Sequence, residues 1–311
     1  MIRKDQLPNI WGDEWRCTAQ QKTLEITSGH ITPPLILCNY ADWPMFMLTD
    51  NDSYTVDGDD ESNIKLIVEK GVDTELYRIQ GMNTPSNTVT NLDIIMEEGS
   101  KLKVCTITLG GQHVRNNVVV RMQGERCSFE AGGLYLLDRE QQCDNYIFVE
   151  HACPNCSSHE LYKGIIDDSA RARFNGHVLV QDGACKTEAH QTNRNILLTD
   201  KAHVDTRPFL EIYNDDVKCS HGSTIGQLDE QALFYLQTRC IPLRTAKTML
   251  SYAFCDEVIR YISIPNLREA VGDVIKKRLH GELTPCIDCA LQCSTPCNGP
   301  EANFKIDVSK L

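Results

Sequence analysis

The chain of 311 residues can bury a hydrophobic core as one large domain or two ordinary ones, and its 31 basic and 43 acidic residues give a net charge of −12. That balance repels phosphate backbones and anionic lipid, so it excludes nucleic acid as a favoured partner and points to other proteins instead. No apolar run reaches the roughly 18 residues that span a bilayer, and Met1-Ile-Arg-Lys-Asp-Gln-Leu-Pro lacks the apolar core of a secretory signal. A soluble, cytoplasmic protein without membrane contact is expected.

The fifteen cysteines are an odd number in a chain that shows no signal peptide, so free thiols or metal ligands are expected rather than a disulfide framework. Cys38, Cys105, Cys127 and Cys143 sit beside apolar residues and read as small buried hydrophobes with no further role.

In chain order, the acidic tract Asp50 to Ser62 begins like a calcium loop at Asp50 and Asp52. It then places Tyr54 and Thr55 where a ligand and a turn-forming glycine are required, so it reads as a solvated loop. From about Thr23 to Gly222 the sequence is a series of short β-rich runs, among them "NVVVRM", "GGLYLL", "YIFVEH", "ELYKGII", "GHVLVQ" and "FLEIYN". No helical run of a dozen residues separates them, which disfavours a βαβ sheet. Sandwich, barrel and solenoid remain, and Asn and Gly recurring at the corners favour the solenoid.

Within this region His151, Cys153, Cys156 and His159 form a compact H-x-C-x2-C-x2-H. One strand-turn-strand would have to fold all four around a single ion, and a plain turn at Pro154-Asn155 is the better reading. Further on, "KCSHGST" places Cys219 and His221 two residues apart. On a strand both face the same side, about 7 Å apart at Cα, while Lys218 and Ser220 face the other. Two ligands do not close a metal site, since zinc usually takes four, so any site here borrows ligands from elsewhere in the fold or from another chain. The same spacing suits a buried thiol beside a hydrogen-bonded core histidine. It also suits a hydrolase with Cys219 as nucleophile and His221 as base, although no orienting group or oxyanion hole is visible.

After Gly226 the pattern becomes helical. Leu228, Ala232, Tyr235 and Leu236 share a face, and Pro242 ends that helix. A second helix from Leu243 carries Ala246, Leu250, Ala253, Glu257/Val258 and Tyr261/Ile262 along one stripe. A third opens with Asn266 as N-cap and Glu269 three residues later, and closes at Gly281. The tail spaces Cys286, Cys289, Cys293 and Cys297 as C-x2-C-x3-C-x3-C. This approaches a ferredoxin-type ligand run without matching it, and a zinc site, an iron–sulfur site and a thiol-rich tail stay open.

The block from Glu160 to Arg239, with "DDVKCSHGSTIGQLDEQALFYL" at its end, resembles the SufB/SufD family of scaffold subunits in the SUF iron–sulfur cluster assembly system, and its SufD branch in particular. The resemblance implies a right-handed parallel β-helix. It divides the chain into a short N-terminal segment (1–22), the β-helix core (23–226), a C-terminal helical module (227–282) and the Cys-rich tail (283–311). It further implies that the helices dock a SufC-type ABC ATPase and that the β-helix end near Cys219 and His221 meets a SufB-type scaffold. A transient iron–sulfur cluster would form at that seam, held by His221 foremost with Cys219 as its neighbour. The chain has no phosphate loop of the form G-x4-G-K-[ST], so a non-catalytic scaffold is expected, with ATP hydrolysis in the partner. Departures from the family are a short or missing N-terminal helical domain, the cysteine tail, and Cys185 and Cys240 where Gln and Gly are more usual, both read as neutral. The short length also admits a sole homodimeric scaffold in which each copy contributes Cys219 and His221.

Overall fold

The computed structural model describes residues 21–26, 35–38, 55–57, 61–80 and 87–280, with side chains at 63–80 and 87–280. Strands numbered in chain order fall into two sheets in which every neighbouring pair is parallel. One sheet runs β1 (Gln21–Ile26), β4 (Glu61–Val68), β6 (Asn87–Met96), β8 (His113–Met122), β10 (Gln142–His151), β12 (Arg171–Val180), β14 (His203–Ile212). The other runs β15 (Val217–Gly226), β13 (Thr187–Leu197), β11 (Ser157–Ile166), β9 (Ser128–Leu137), β7 (Lys101–Thr108), β5 (Asp73–Gln80), β2 (Leu35–Cys38), β3 (Thr55–Asp57). From β4 onward successive strands alternate between the sheets, so the chain coils and each coil lies on the one before. Gln142 pairs with His113 on one side and Arg171 on the other, each 29 residues away. The architecture is a parallel β-solenoid, which excludes the sandwich and the barrel.

Alternation within each strand sends every second side chain inward, and register then stacks those side chains into columns. Leu66, Ile94, Val120, Val149 and Val178 form one such column, all buried. Each such side chain contributes about 1.5–3 kcal/mol on burial. The corners have a rule of their own. Gly71, Gly99, Arg126, Asn155 and Lys186, spaced 27 to 31 residues apart, all take a positive φ, as do Gly111, Arg139 and Asp168 at a second corner. The left-handed turn recurs from coil to coil among the described residues, but Arg, Lys and Asp hold it as often as Gly or Asn. That is why the sequence shows no strict repeat. Asn175-Gly176, a dipeptide that usually marks a turn, lies inside β12 instead; a Cβ at Gly176 would overlap the Gln191 amide across the lumen.

Three helices follow: α1 (Glu230–Thr238), α2 (Leu243–Ile259) and α3 (Pro265–His280). The α2 and α3 helices and the turn between them cover the outer face of the β5–β11 sheet, packing Cys255, Val258, Ile259, Ile262, Val271 and Ile275 against its apolar side chains. Polar clamps reinforce the contact. The buried Lys163 ammonium donates to Phe254 O at 3.0 Å and pairs with Glu257, and Arg278 meets Asp138 at 2.8 Å with both side chains nearly buried. The α2 face differs from the stripe read in the sequence: Ala253 is exposed, while Thr248 and Ser251 are buried alongside Ala246 and Val258. Small polar side chains let the helix approach the sheet, and the Thr248 hydroxyl satisfies itself on Arg244 O at 3.2 Å. The α3 helix starts at Pro265, so Asn266 lies in the first turn rather than capping it; proline fixes the helical φ and has no N–H to lose there. The α1 helix is capped by Asp229, which accepts from Gln231 N at 2.8 Å and Ala232 N at 3.2 Å, yet none of its residues is buried.

Candidate functional site

Cys219 and His221 lie on β15, and β14 and β15 are the last strands of their sheets at the same end of the solenoid. Their register partners are Ala189 and Gln191, both buried, so the row that carries Cys219 and His221 is the inward row. Cys219 is half-buried against Val178, Val180 and Ala189, and burial raises its thiol above the ordinary value, offset in part by a backbone hydrogen bond from Ala189. His221 is exposed because no further coil among the described residues covers it. A residue whose position is interior by register is therefore open to solvent.

Beneath His221 the interior is polar. Register runs the column His221, Gln191, Glu160, Ala131. The Gln191 amide donates to Glu160 at 2.6 Å, and burial raises the Glu160 carboxyl to about 8, so it holds its proton at neutral pH. One oxygen of each side chain has no protein partner. Nothing in the local sequence marks this pair, because its members lie 31 residues apart.

The surroundings are apolar. All the large hydrophobic side chains exposed among the described residues fall between Phe209 and Leu243: Phe209, Ile212, Tyr213, Ile225, Phe234, Tyr235 and Leu243. Phe234 on α1 is 68% exposed. On the outer face of β14, Phe209 stacks edge-on against His177 at 4.8 Å, which in turn meets Glu211 at 3.2 Å. Exposed large apolar side chains gathered in the last strands and α1 mark contact surfaces.

The fold takes the H-x-C-x2-C-x2-H motif apart. His151 is buried in the aliphatic column of Met96, Met122 and Val180, its ring bonded to Ser158 Oγ at 3.0 Å, and burial lowers its pKa to about 4. His159 lies on the outer face against His190, ring centroids 4.8 Å apart. Cys153 is half-buried at the edge of the core with its thiol on Gln123 O, and Cys156 turns in toward Cys127. Asn155 has a φ of 60°, so the plain-turn reading holds. No group of three His, Cys, Asp or Glu residues among the described residues is placed to hold a metal ion. Cys105, Cys127 and Cys143 are buried as expected, and burial raises Cys105 and Cys143 to about 12. The side chain of Cys38, the tail cysteines Cys286, Cys289, Cys293 and Cys297, and most of the Asp50–Ser62 tract lie outside the described residues. No helix among those residues is long and apolar enough to cross a membrane.

Residues 49–254 match the protein family described as SUF system FeS cluster assembly, SufBD core domain. The chain is 36% identical over 199 residues to the iron–sulfur cluster assembly protein SufD of Escherichia coli, a match covering 64% of this chain and 47% of the relative. It is 34% identical over 190 residues to the iron–sulfur cluster assembly SufBD family protein slr0076 of Synechocystis, covering 61% and 39%. It is 32% identical over 216 residues to the chloroplastic protein ABCI7 of Arabidopsis thaliana, covering 68% and 45%. The chain thus spans less than half the length of each of these relatives. With two thirds of its length inside the matched core and a parallel solenoid as its fold, the chain belongs to the SufBD family of iron–sulfur cluster assembly proteins.

Proposed function

We propose that this chain is a non-catalytic scaffold whose open solenoid end joins a second scaffold chain, and that a nascent iron–sulfur cluster is held at the seam by His221 together with Cys219. The observation that carries this reading is the coincidence at one end of an inward-row histidine open to solvent, a half-buried thiol beside it and an apolar rim. A site that must release its cargo is better served by few ligands at a subunit boundary than by a closed cage, because each chain alone offers too few bonds to retain the metal. Iron binding displaces the thiol proton of Cys219 and requires neutral imidazole, so protonation of His221 favours release. The apolar α1 surface, carrying Phe234 and Tyr235, is the surface on which an ABC-type ATPase subunit would dock.

The test is anaerobic cluster reconstitution with the partner ATPase and scaffold subunits, comparing the wild type with His221→Ala by iron and sulfide content. A marked loss of cluster is expected, and a full yield defeats the ligand assignment. The native mass of the purified assembly separates a mixed scaffold pair from two copies of this chain.

A further inference from the structure

Ser128 and Ser157 are register partners at the starts of β9 and β11, so the residues just before them, Cys127 and Cys156, lie one above the other in successive coils. The ladder continues through them, with Ser157 N donating to Cys127 O at 2.9 Å. Neighbouring strands lie about 4.8 Å apart, inside the roughly 4.4–6.8 Å Cα separation that a disulfide accepts. Both thiols are buried, and both turn toward the same acceptor: Gly124 O lies 3.2 Å from Cys127 Sγ and 3.3 Å from Cys156 Sγ. Cys127 also reaches Glu97 O at 3.0 Å and Ser100 Oγ at 3.7 Å. The proximity of Cys156 foremost, with the Ser100 hydroxyl and the Gly124 backbone, lowers the Cys127 thiol below its ordinary value, and Cys127 in turn raises Cys156. Neither the H-x-C-x2-C-x2-H spacing nor the apolar neighbours of Cys127 suggest this pairing.

We propose that Cys127 and Cys156 form a peroxide-sensitive dithiol that closes reversibly to a disulfide and staples two successive coils of the solenoid. The Cys127 thiolate attacks one oxygen of hydrogen peroxide; the O–O bond breaks, and the departing hydroxide takes a proton to become water. This leaves a sulfenic acid on Cys127. The Cys156 sulfur then attacks that sulfur, the S–O bond breaks, and a second water leaves with the Cys156 proton. Two thiols and one peroxide become one disulfide and two waters. Peroxide is the fitting oxidant class because it approaches water in size, whereas the buried corner excludes bulky reagents. The staple joins residues already in register, so it fixes the corner without shifting the strands. Cys153, half-exposed in the same turn with its thiol on Gln123 O at 3.2 Å, is the competing thiol.

The experiment exposes the full chain to hydrogen peroxide, blocks remaining thiols with a maleimide under denaturing conditions, and maps linked peptides by mass spectrometry without reduction. A Cys127–Cys156 link that dithiothreitol removes is expected. It should be lost in Cys127→Ser and in Cys156→Ser and retained in Cys153→Ser. Native-state labelling with a bulky maleimide should modify the exposed Cys240 while sparing the pair. A link through Cys153, or both thiols free after Cys240 is fully oxidised, overturns the proposal. Because the wild-type map decides between these outcomes, failure of a serine variant to fold does not obscure the answer.

Discussion

Gln191 donates a 2.6 Å hydrogen bond to Glu160 inside the solenoid, one coil below His221. Burial raises the Glu160 carboxyl to about 8 against an ordinary value near 4.5. The folded state therefore keeps a proton that the unfolded chain gives up, so stability is fully present below pH 4.5 and falls as pH rises toward 8. Glu160→Gln preserves the shape and the acceptor and removes the titration. Its thermal midpoint should fall less than that of the wild type between pH 5 and 8, with a gain of a few kcal/mol at pH 8 by order of magnitude. Parallel curves for the two proteins would show that Glu160 is ionised in the folded state.

The proposed scaffold and ATPase contacts use different exposed aromatic side chains, Phe209 on β14 and Phe234 on α1. Phe209→Asp places a charge on the outer strand β14 and should weaken scaffold pairing while leaving ATPase co-purification intact. Phe234→Asp on α1 should do the reverse. Both side chains are more than half exposed, so each substitution should change stability by no more than about 0.5 kcal/mol. Size exclusion and pull-down with each partner in turn read the outcome, and loss of both contacts in both variants would merge the surfaces into one.

Lys163 ties the helices to the sheet. Its ammonium donates to Phe254 O, pairs with Glu257 and lies 4.4 Å from the centre of the Phe254 ring. Lys163→Met keeps the length and loses the charge-assisted bonds, which should cost about 2 kcal/mol in denaturant unfolding. Glu257 is half-exposed, so Glu257→Gln should cost less than about 1 kcal/mol. Equal losses would mean that the ion pair, not the bond to the backbone, carries the contact.

Cys240 follows α1 with a φ of 62°, its N–H bonded to Gln237 O at 2.9 Å, while Ile241 N bonds to Leu236 O at 3.2 Å. This is the left-handed helix stop that glycine ordinarily fills, so the cysteine there is not neutral, as the sequence suggested, but strained. Cys240→Gly should stabilise the chain by about 0.5–1 kcal/mol, the strain relief outweighing the added chain entropy. Calorimetric unfolding of the two proteins checks the sign.

Local chemistry carried much of this protein in its sequence. The β-branched runs declared strands, the shift after Gly226 declared helices, and alternation put Cys219 and His221 on one face whatever the fold. The characteristic block from Glu160 to Arg239 carried the family. Less legible were the helix faces, because Thr248 and Ser251 look polar in the text but are small enough to enter a tight helix–sheet contact. Corner residues were legible only in part, since Arg126 and Lys186 hold the same left-handed turn as Gly99 and Asn155.

What the sequence determined alone is which side of a strand each residue occupies, because a period of two is a property of the local backbone. Only the tertiary structure decided which residues of other coils stand above and below it. That choice depends on register, and register depends on coil lengths and corner geometry summed over some thirty residues. It brought Cys127 onto Cys156, set Gln191 between Glu160 and His221, and left Cys219 and His221 on the last strand at the open end, where an inward row meets solvent.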